Sequence, residues 1–260
     1  MADIAVPVTH LNSIMGILGA TKASLWPGVE AVGTLVAGIS SGDLTPAETS
    51  GTAEALEDDF SPMLHPGGVY SYHFNPTGDH HFAGVDHADY THGNGTVDTA
   101  FSVGALILPN AIASNGIITK FDSAGGAEEY RFWIDADGKL SLELHDASAS
   151  ASEVATGDTT LTLHRPVFVV AVYDGDEVTP DVRLYINGET DNDGATTETG
   201  SYVAMEDTAS PLLVGCSGVT ATPLLEFHGR IAMPFMTGKQ LAAAEVKELW
   251  NIYRFMVGLP

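Results

Sequence analysis

Basic side chains are scarce in this sequence. Lys and Arg together number 10 among 260 residues, against 34 Asp plus Glu, for a formal net charge of −24. Nucleic acids and anionic membrane surfaces would be repelled, so neither is expected as a partner. The excess suits plain solubility, work at high ionic strength, divalent cations or a basic partner. Cysteine is nearly absent. The single Cys216 excludes an internal disulfide framework and any cysteine-based zinc knuckle. Its small apolar neighbours mark it as a buried, inert thiol. Long apolar runs are lacking too. Residues 14–39 are interrupted by Lys22, Pro27 and Glu30, a poor spanning helix, so no membrane insertion is expected. The opening MADIAVPVTH carries Asp3 and no early positive charge, so a signal peptide is not expected. The zinc-protease HExxH and the phosphate-binding GxxxxGK[ST] spacings do not occur.

What is present is a chain able to build a core. Hydrophobic residues make up 44% and charged residues 17%, which excludes a disordered chain or a coiled coil. Residues 1–40 are rich in small and aliphatic side chains, and residues 41–60 are polar and acidic. We read residues 1–68 as an N-terminal arm with an acidic linker. Leu11, Ile14, Ile17, Leu18, Leu25 and Trp26, with Val32, Leu35 and Ile39, need cover. Their expected role is to anchor the chain to a neighbour, leaving residues 69–260 able to fold alone.

From Val69 the texture changes to strands and turns. VYSYHF alternates, AFSVGALILP ends at Pro109, and GIITKFD follows. EYRFWIDADGKLSLELHD reads as a hairpin turning at Asp137-Gly138, and DVRLYINGE turns at Asn187-Gly188. TLTLHRPVFVVAVYDG is a long strand region with a near-continuous apolar run. PLLVGC and LEFHGRIAMPFM are further strands. Short strands spaced by turns predict an all-β, two-sheet antiparallel sandwich or jelly roll. Thr237 and Gln240 fit a capping box, and Val246, Leu249, Trp250, Tyr253 and Val257 recur at helical spacing. They predict one amphipathic helix over 238–257.

The ordered set FSVGALILP, GIITKFD, YRFWIDADGKLSLEL, FVVAVYDG, RLYINGE, PLLVG and FHGRIAMPFMTGKQLAAAEVKELW resembles the concanavalin A-like lectin/glucanase jelly roll of the laminin-G-like type. The resemblance covers about 180 of the 260 residues. In that family a Trp usually precedes the FVVAVYDG strand; here His164, Arg165 and Pro166 stand in its place. The related glucanases carry paired carboxylates on one strand, where alternation puts nucleophile and acid on one face. The nearest pattern here, Glu189-Thr-Asp191-Asn-Asp193, lacks the final Glu and follows a turn, so no catalytic residue and no enzyme is expected. Laminin-G-like domains often bind Ca²⁺ at one rim, and Asp122, Asp174, Asp176, Asp191 and Asp193 are candidates; the alternative is that these side chains cap turns. His73, His80, His81, His87 and His92 cluster in sequence, and His80, Asp86 and His87 could share a loop and bind Zn²⁺ or Ni²⁺. On the YRFW strand, Tyr130, Phe132 and Ile134 share one face. Trp133 and Arg131 share the other and are the candidate glycan-binding pair. Either Trp133 or Phe132 is exposed.

Two functions follow. Stand-alone laminin-G-like jelly rolls with an unusual arm and no catalytic carboxylates resemble virion components of tailed phages: capsid decoration proteins, or tail and fibre accessories. Capsid or tail subunits, or further copies of the chain, would then be the partners. The alternative is a carbohydrate-binding, lectin-like module that recognises surface glycans.

Overall fold

Apolar residues alternating with a period of two must bury one face of a sheet, and two such faces close a sandwich. The computed structural model describes residues 8–19, 22–28, 38, 43–47, 56, 60–219 and 222–260. Its elements run α1 (Val8–Leu18), β1 (Ser24–Leu25), β2 (Thr45–Ala47), β3 (Met63–Leu64), β4 (Tyr70–Phe74), β5 (His81–Gly84), β6 (Phe101–Pro109), β7 (Asn115–Asp122) and β8 (Ala127–Ile134). Then come β9 (Lys139–Asp146), β10 (Ala151–Thr160), β11 (Val167–Tyr173), β12 (Val182–Ile186), β13 (Glu189–Thr190), β14 (Thr197–Thr199) and β15 (Leu212–Val214). Last are β16 (Ser217–Val219), β17 (Thr222–Leu224), β18 (Gly229–Thr237) and α2 (Ala243–Met256).

The strands form two antiparallel eight-stranded sheets, and β16 pairs with β17 in a separate two-stranded sheet. The first has the order β13-β12-β11-β6-β18-β4-β3, with β1 also pairing to β18; the second is β14-β10-β9-β8-β7-β15-β5-β2. Between them lies one core that includes Phe74, Phe101, Tyr130, Phe132, Leu142, Val169, Tyr173 and Ile231. Both expected tight turns form. Asn187 and Gly188 adopt φ of 52° and 77°, the left-handed pair a two-residue hairpin requires.

Proline in a central strand removes a ladder donor, so Pro234 in β18 demands an irregularity. The β18–β6 register shifts between Ala232 and Phe235, and Met233 takes a φ of 47°. The bulge sends Met233 into the layer outside the first sheet, where its carbonyl accepts from Tyr253 Oη at 2.9 Å. The Pro234 carbonyl accepts from Trp26 N at 3.0 Å.

Two helices cover the outer face of the first sheet. The expected C-terminal helix starts at Ala243, later than 238. Thr237 still belongs to β18, and its hydroxyl donates to the Leu18 carbonyl at 2.6 Å. The first turn of the helix is closed by Glu245, whose carboxylate accepts from Ala242 N at 3.0 Å. Val246, Leu249, Tyr253 and Met256 face the sheet. The second helix, α1, was not expected. It contributes Ile14, Ile17 and Leu18 to the same layer, with Leu11 packed at its edge.

The anchoring role assigned to the arm is therefore corrected. Ile14, Leu18, Leu25 and Trp26 are 0% exposed, and Ile17 is 9% exposed, all within this one chain. Leu25 pairs with Phe235 of β18, and Trp26 sits in the sandwich core with Leu44, Leu56 and Phe60. These buried side chains have an intramolecular destination and are not available to a neighbour, whereas Leu11 is half-buried. Val32, Leu35 and Ile39 lie outside the described residues. The long strand region read across residues 160–175 also resolves differently. β10 ends at Thr160, a turn passes through His164 (φ 58°) and Pro166, and β11 begins at Val167.

Candidate functional site

Both helices lie on the first sheet, so the outer face of the second sheet is the broad face without a helix over it among the described residues. Across β8 and β9, Tyr130, Phe132 and Ile134 pair with Leu144, Leu142 and Leu140 on the core side. Alternation then turns Arg131 and Trp133 outward, opposite Glu143 and Ser141. The expected exposure of one of the two rings does not occur: Phe132 is core at 0%, and Trp133 lies on the outer face but is buried at 8%, with Arg131 packed over it. The guanidinium carbon stands 4.6 Å from the Trp133 ring centroid and 4.7 Å from that of Phe121 on β7. A cation held over two aromatic faces is attracted by both ring quadrupoles.

Arg131 Nε donates to Glu143 Oε2. His145, two residues along β9, brings Nδ1 within 3.4 Å of Glu143 Oε1 and Nε2 within 3.1 Å of Glu128 Oε2. Burial raises the Glu143 pKa, but the hydrogen bond from His145 and the charge and hydrogen bond of Arg131 outweigh it, so the carboxyl titrates below its ordinary value. The hydrogen bond to Glu143 raises the His145 pKa; burial opposes this, and the charges of Glu128 and Glu143 reinforce it. A histidine favoured in its protonated form by folding contributes stability below its unfolded pKa, near 6.5, and loses it as pH rises through the raised folded value. His145→Gln is therefore expected to flatten the fall in melting temperature as pH rises above about 6.5. An unchanged pH profile would contradict the assignment.

The remaining expected site residues are dispersed. Asp122 Oδ1 accepts from Ala124 N and Gly125 N, both at 3.0 Å. Asp174 Oδ1 accepts from Asp176 N and Asp181 N, and Asp176 Oδ1 from Val178 N and Thr179 N. Asp193 Oδ1 accepts from Ala195 N, and Asp191 Oδ2 from Thr159 N. Asp122, Asp174, Asp176 and Asp193 cap turns, as in the alternative reading, whereas Asp191 reaches across to Thr159 of β10. His80 packs its ring 5.0 Å from that of Phe60, Asp86 pairs with Lys120 at 3.1 Å, and His87 Nδ1 accepts from Asp89 N. Among the described residues, no group of three or more His, Cys, Asp or Glu side chains is placed to hold a metal ion. The Zn²⁺ or Ni²⁺ set is therefore not assembled, and the rim Asp residues do not converge. Glu189 pairs with Lys247 on α2. Cys216 is fully buried, and burial pushes its thiol pKa well up, as expected for an inert thiol.

Phe121, Glu143 and His145 were missed in the sequence, although the alternation that placed Trp133 also places Glu143 and His145. A Gly-x-Ser-x-Gly spacing, Gly38-Ile-Ser-Ser-Gly42, was missed as well. Ser40 lies outside the described residues. The strand-to-helix elbow that gives the motif its chemistry belongs to an α/β frame, not to this sandwich. Among the described residues, no helix is long and apolar enough to cross a membrane.

Comparison with solved structures places the fold beside two structures of the botulinum neurotoxin type G receptor-binding domain. Their TM-scores are 0.56 and 0.57 at 12% and 11% identity; each alignment covers 90% of this chain. The chain spans about half the length of those domains, 52% and 51%. Domain 4 of AbnA, a GH43 extracellular arabinanase from Geobacillus stearothermophilus, solved in complex with arabinotriose, aligns with a TM-score of 0.53 at 14% identity. That alignment covers 80% of this chain and 88% of the domain. No curated protein matches the sequence. The model of the concanavalin A-like lectin/glucanases superfamily, Laminin_G_3, matches residues 82–247, from β5 through both sheets into α2, and the chain belongs to that family.

Proposed function

We propose that this protein is a non-enzymatic, lectin-like module that binds glycans on the outer face of its second sheet. The observation that carries the reading is Arg131, its guanidinium in contact with the rings of Phe121 and Trp133 and tied to Glu143. Nε is used by Glu143, which leaves the other N–H donors of the guanidinium for a ligand. Planar donors beside fixed carboxylates suit vicinal sugar hydroxyls, which donate and accept at once. Holding the guanidinium before the ligand arrives reduces the ordering cost of binding. The arabinotriose complex of the AbnA domain supports the reading by likeness of fold. A catalytic acid would need its carboxyl pKa raised, whereas Glu143 is held ionised.

A glycan array including arabinan fragments tests this proposal. Arg131→Lys keeps the charge but loses the planar fork, and is expected to weaken binding about tenfold or more, the value of roughly one or two charge-assisted hydrogen bonds. Thermal melts confirm that the variant is folded. Absence of binding to any glycan, or equal binding by the variant, would refute the assignment. A place on a virion surface, with capsid or tail subunits as partners, rests on the sequence resemblance alone. Mass spectrometry of purified particles tests it, and particles that lack the chain would end it.

A further inference from the structure

Bases gather at one corner of the first sheet, in a chain with 34 acids and 10 Lys plus Arg. Arg230 of β18 stands opposite His73 of β4 in the antiparallel register. His65, just past β3, brings Nε2 within 3.0 Å of Ser71 Oγ. His228 and His80 lie close enough for their charge to act on His73. The histidines and arginines that have carboxylate partners among the described residues are others: His87, His145, Arg131 and Arg183. Asp79 borders the corner, but its charge bears on the next histidine, His81.

Residues 61–65 form a strap over this corner. Arg230 Nη1 donates to the Ser61 carbonyl at 2.9 Å and to the Ser71 carbonyl at 3.2 Å. β3 has one neighbour, β4, in the register Met63 to Ser71 and Leu64 to Tyr70, so it can lift without parting other strands. Its apolar grip is weak, with Met63 41% and Leu64 43% exposed. Ser61 takes a φ of 40°, a left-handed conformation that costs energy in a residue with a Cβ. Segments with few buried contacts open locally at far lower cost than the whole fold.

Protonation acts on this strap in one direction. Burial lowers the His65 pKa, and the charge of Arg230 lowers it further. Burial also leads for His73, followed by the charges of Arg230, His228 and His80. Opening the strap unties Arg230 from Ser61 and admits water to the corner, so both histidines return towards their ordinary value. A histidine whose folded pKa is lowered supports the closed state above about 6.5 and withdraws that support as pH falls below it. Each can multiply the open fraction by up to about tenfold per pH unit. Met63 and His65 also wall a small apolar hollow with Leu106, Leu108 and Ala232, so release of the strap bares apolar surface in acid alone.

We propose that residues 61–65 are an acid-released strap, closed at neutral pH by Arg230 and Ser71 and opened when His65 and His73 take up protons beside Arg230. Hydrogen exchange of the full chain tests this, read by mass spectrometry at about pH 7.5 and 5.5 and corrected for the intrinsic pH dependence of exchange. Protection of residues 61–65 is expected to fall about tenfold or more between the two, while that of β11 holds. In the double variant His65→Gln with His73→Gln, the fall should shrink to about twofold or less. A strap that stays protected in acid, an undiminished fall in the double variant, or an equal loss from β11 would each overturn the proposal. The imidazole proton signals of the unaltered chain give a second check. His65 and His73 should titrate below about 6.5, over the range in which protection falls. Titration of both at or above that value would likewise overturn it.

Discussion

Deletion of residues 2–60 is expected to yield a chain that does not fold. The segment supplies Ile14, Leu18 and Leu25 to the helical layer and Trp26, Leu44, Leu56 and Phe60 to the sandwich core, all 0% exposed. Truncating buried side chains of these kinds costs roughly 2–5 kcal/mol each. Seven of them reach or exceed the ~5–15 kcal/mol that holds a whole domain together. The deletion also strips β1 from β18 and β2 from β5, baring sheet edges that invite aggregation. A cooperative melt from residues 61–260 would show that the arm is dispensable and overturn this account. A milder version isolates one contact. Trp26→Ala in the full chain should lose about 3–5 kcal/mol, which lowers the melting temperature by roughly 10 °C.

Lys120→Met is expected to cost about 3–5 kcal/mol, the usual consequence of breaking a buried ion pair from one side. Lys120 and Glu129 are both 0% exposed and bonded to each other; Lys120 also donates to the Thr208 carbonyl at 2.7 Å and pairs with Asp86. Glu129 accepts in addition from Thr208 N at 2.8 Å and Oγ1 at 2.7 Å. Burial raises the Glu129 pKa and Lys120 with Thr208 partly offsets it, so without Lys120 the carboxylate is a stranded charge. Two outcomes identify the mechanism. Adding Glu129→Gln keeps an acceptor for Thr208, discharges the site and should restore most of the loss. The deficit of Lys120→Met should also shrink as pH falls, since protonation of a carboxyl whose folded pKa is raised favours the folded state. A loss under about 1 kcal/mol in urea unfolding would show that the pair is not needed.

Side-chain patterns made part of this fold legible. Alternation flanking Asp137-Gly138 and Asn187-Gly188 specified two hairpins, because those turn residues admit the left-handed backbone the hairpin needs. β10 was illegible because its inner face carries Ala151, Glu153 and Ala155, too small or too polar to reveal a buried strand; the facing Leu142 and Leu144 of β9 supply the volume. The apolar content of the arm was readable, but its destination was not. Leu25 and Trp26 look alike whether they pack on β18 of this chain or on another molecule. In the site, Arg131 and Trp133 followed from alternation within one strand. Phe121 needed the register between β7 and β8, which shifts at Lys120/Phe121 and turns Glu129 inward to Lys120.

The position of β18 governs how this protein can be made. It lies at residues 229–237, yet it fills the middle of the first sheet between β6 and β4 and also receives β1. Thr237 clasps Leu18 across 219 residues of chain. On the ribosome, then, β4 and β6 emerge with their edges vacant, and α1 has no surface to rest on until nearly the whole chain is synthesised. Such non-local closure is slow, and the waiting edges are sticky. Expression yield should therefore respond to the holdase chaperones that shield nascent chains more strongly than the stability of the finished fold would suggest.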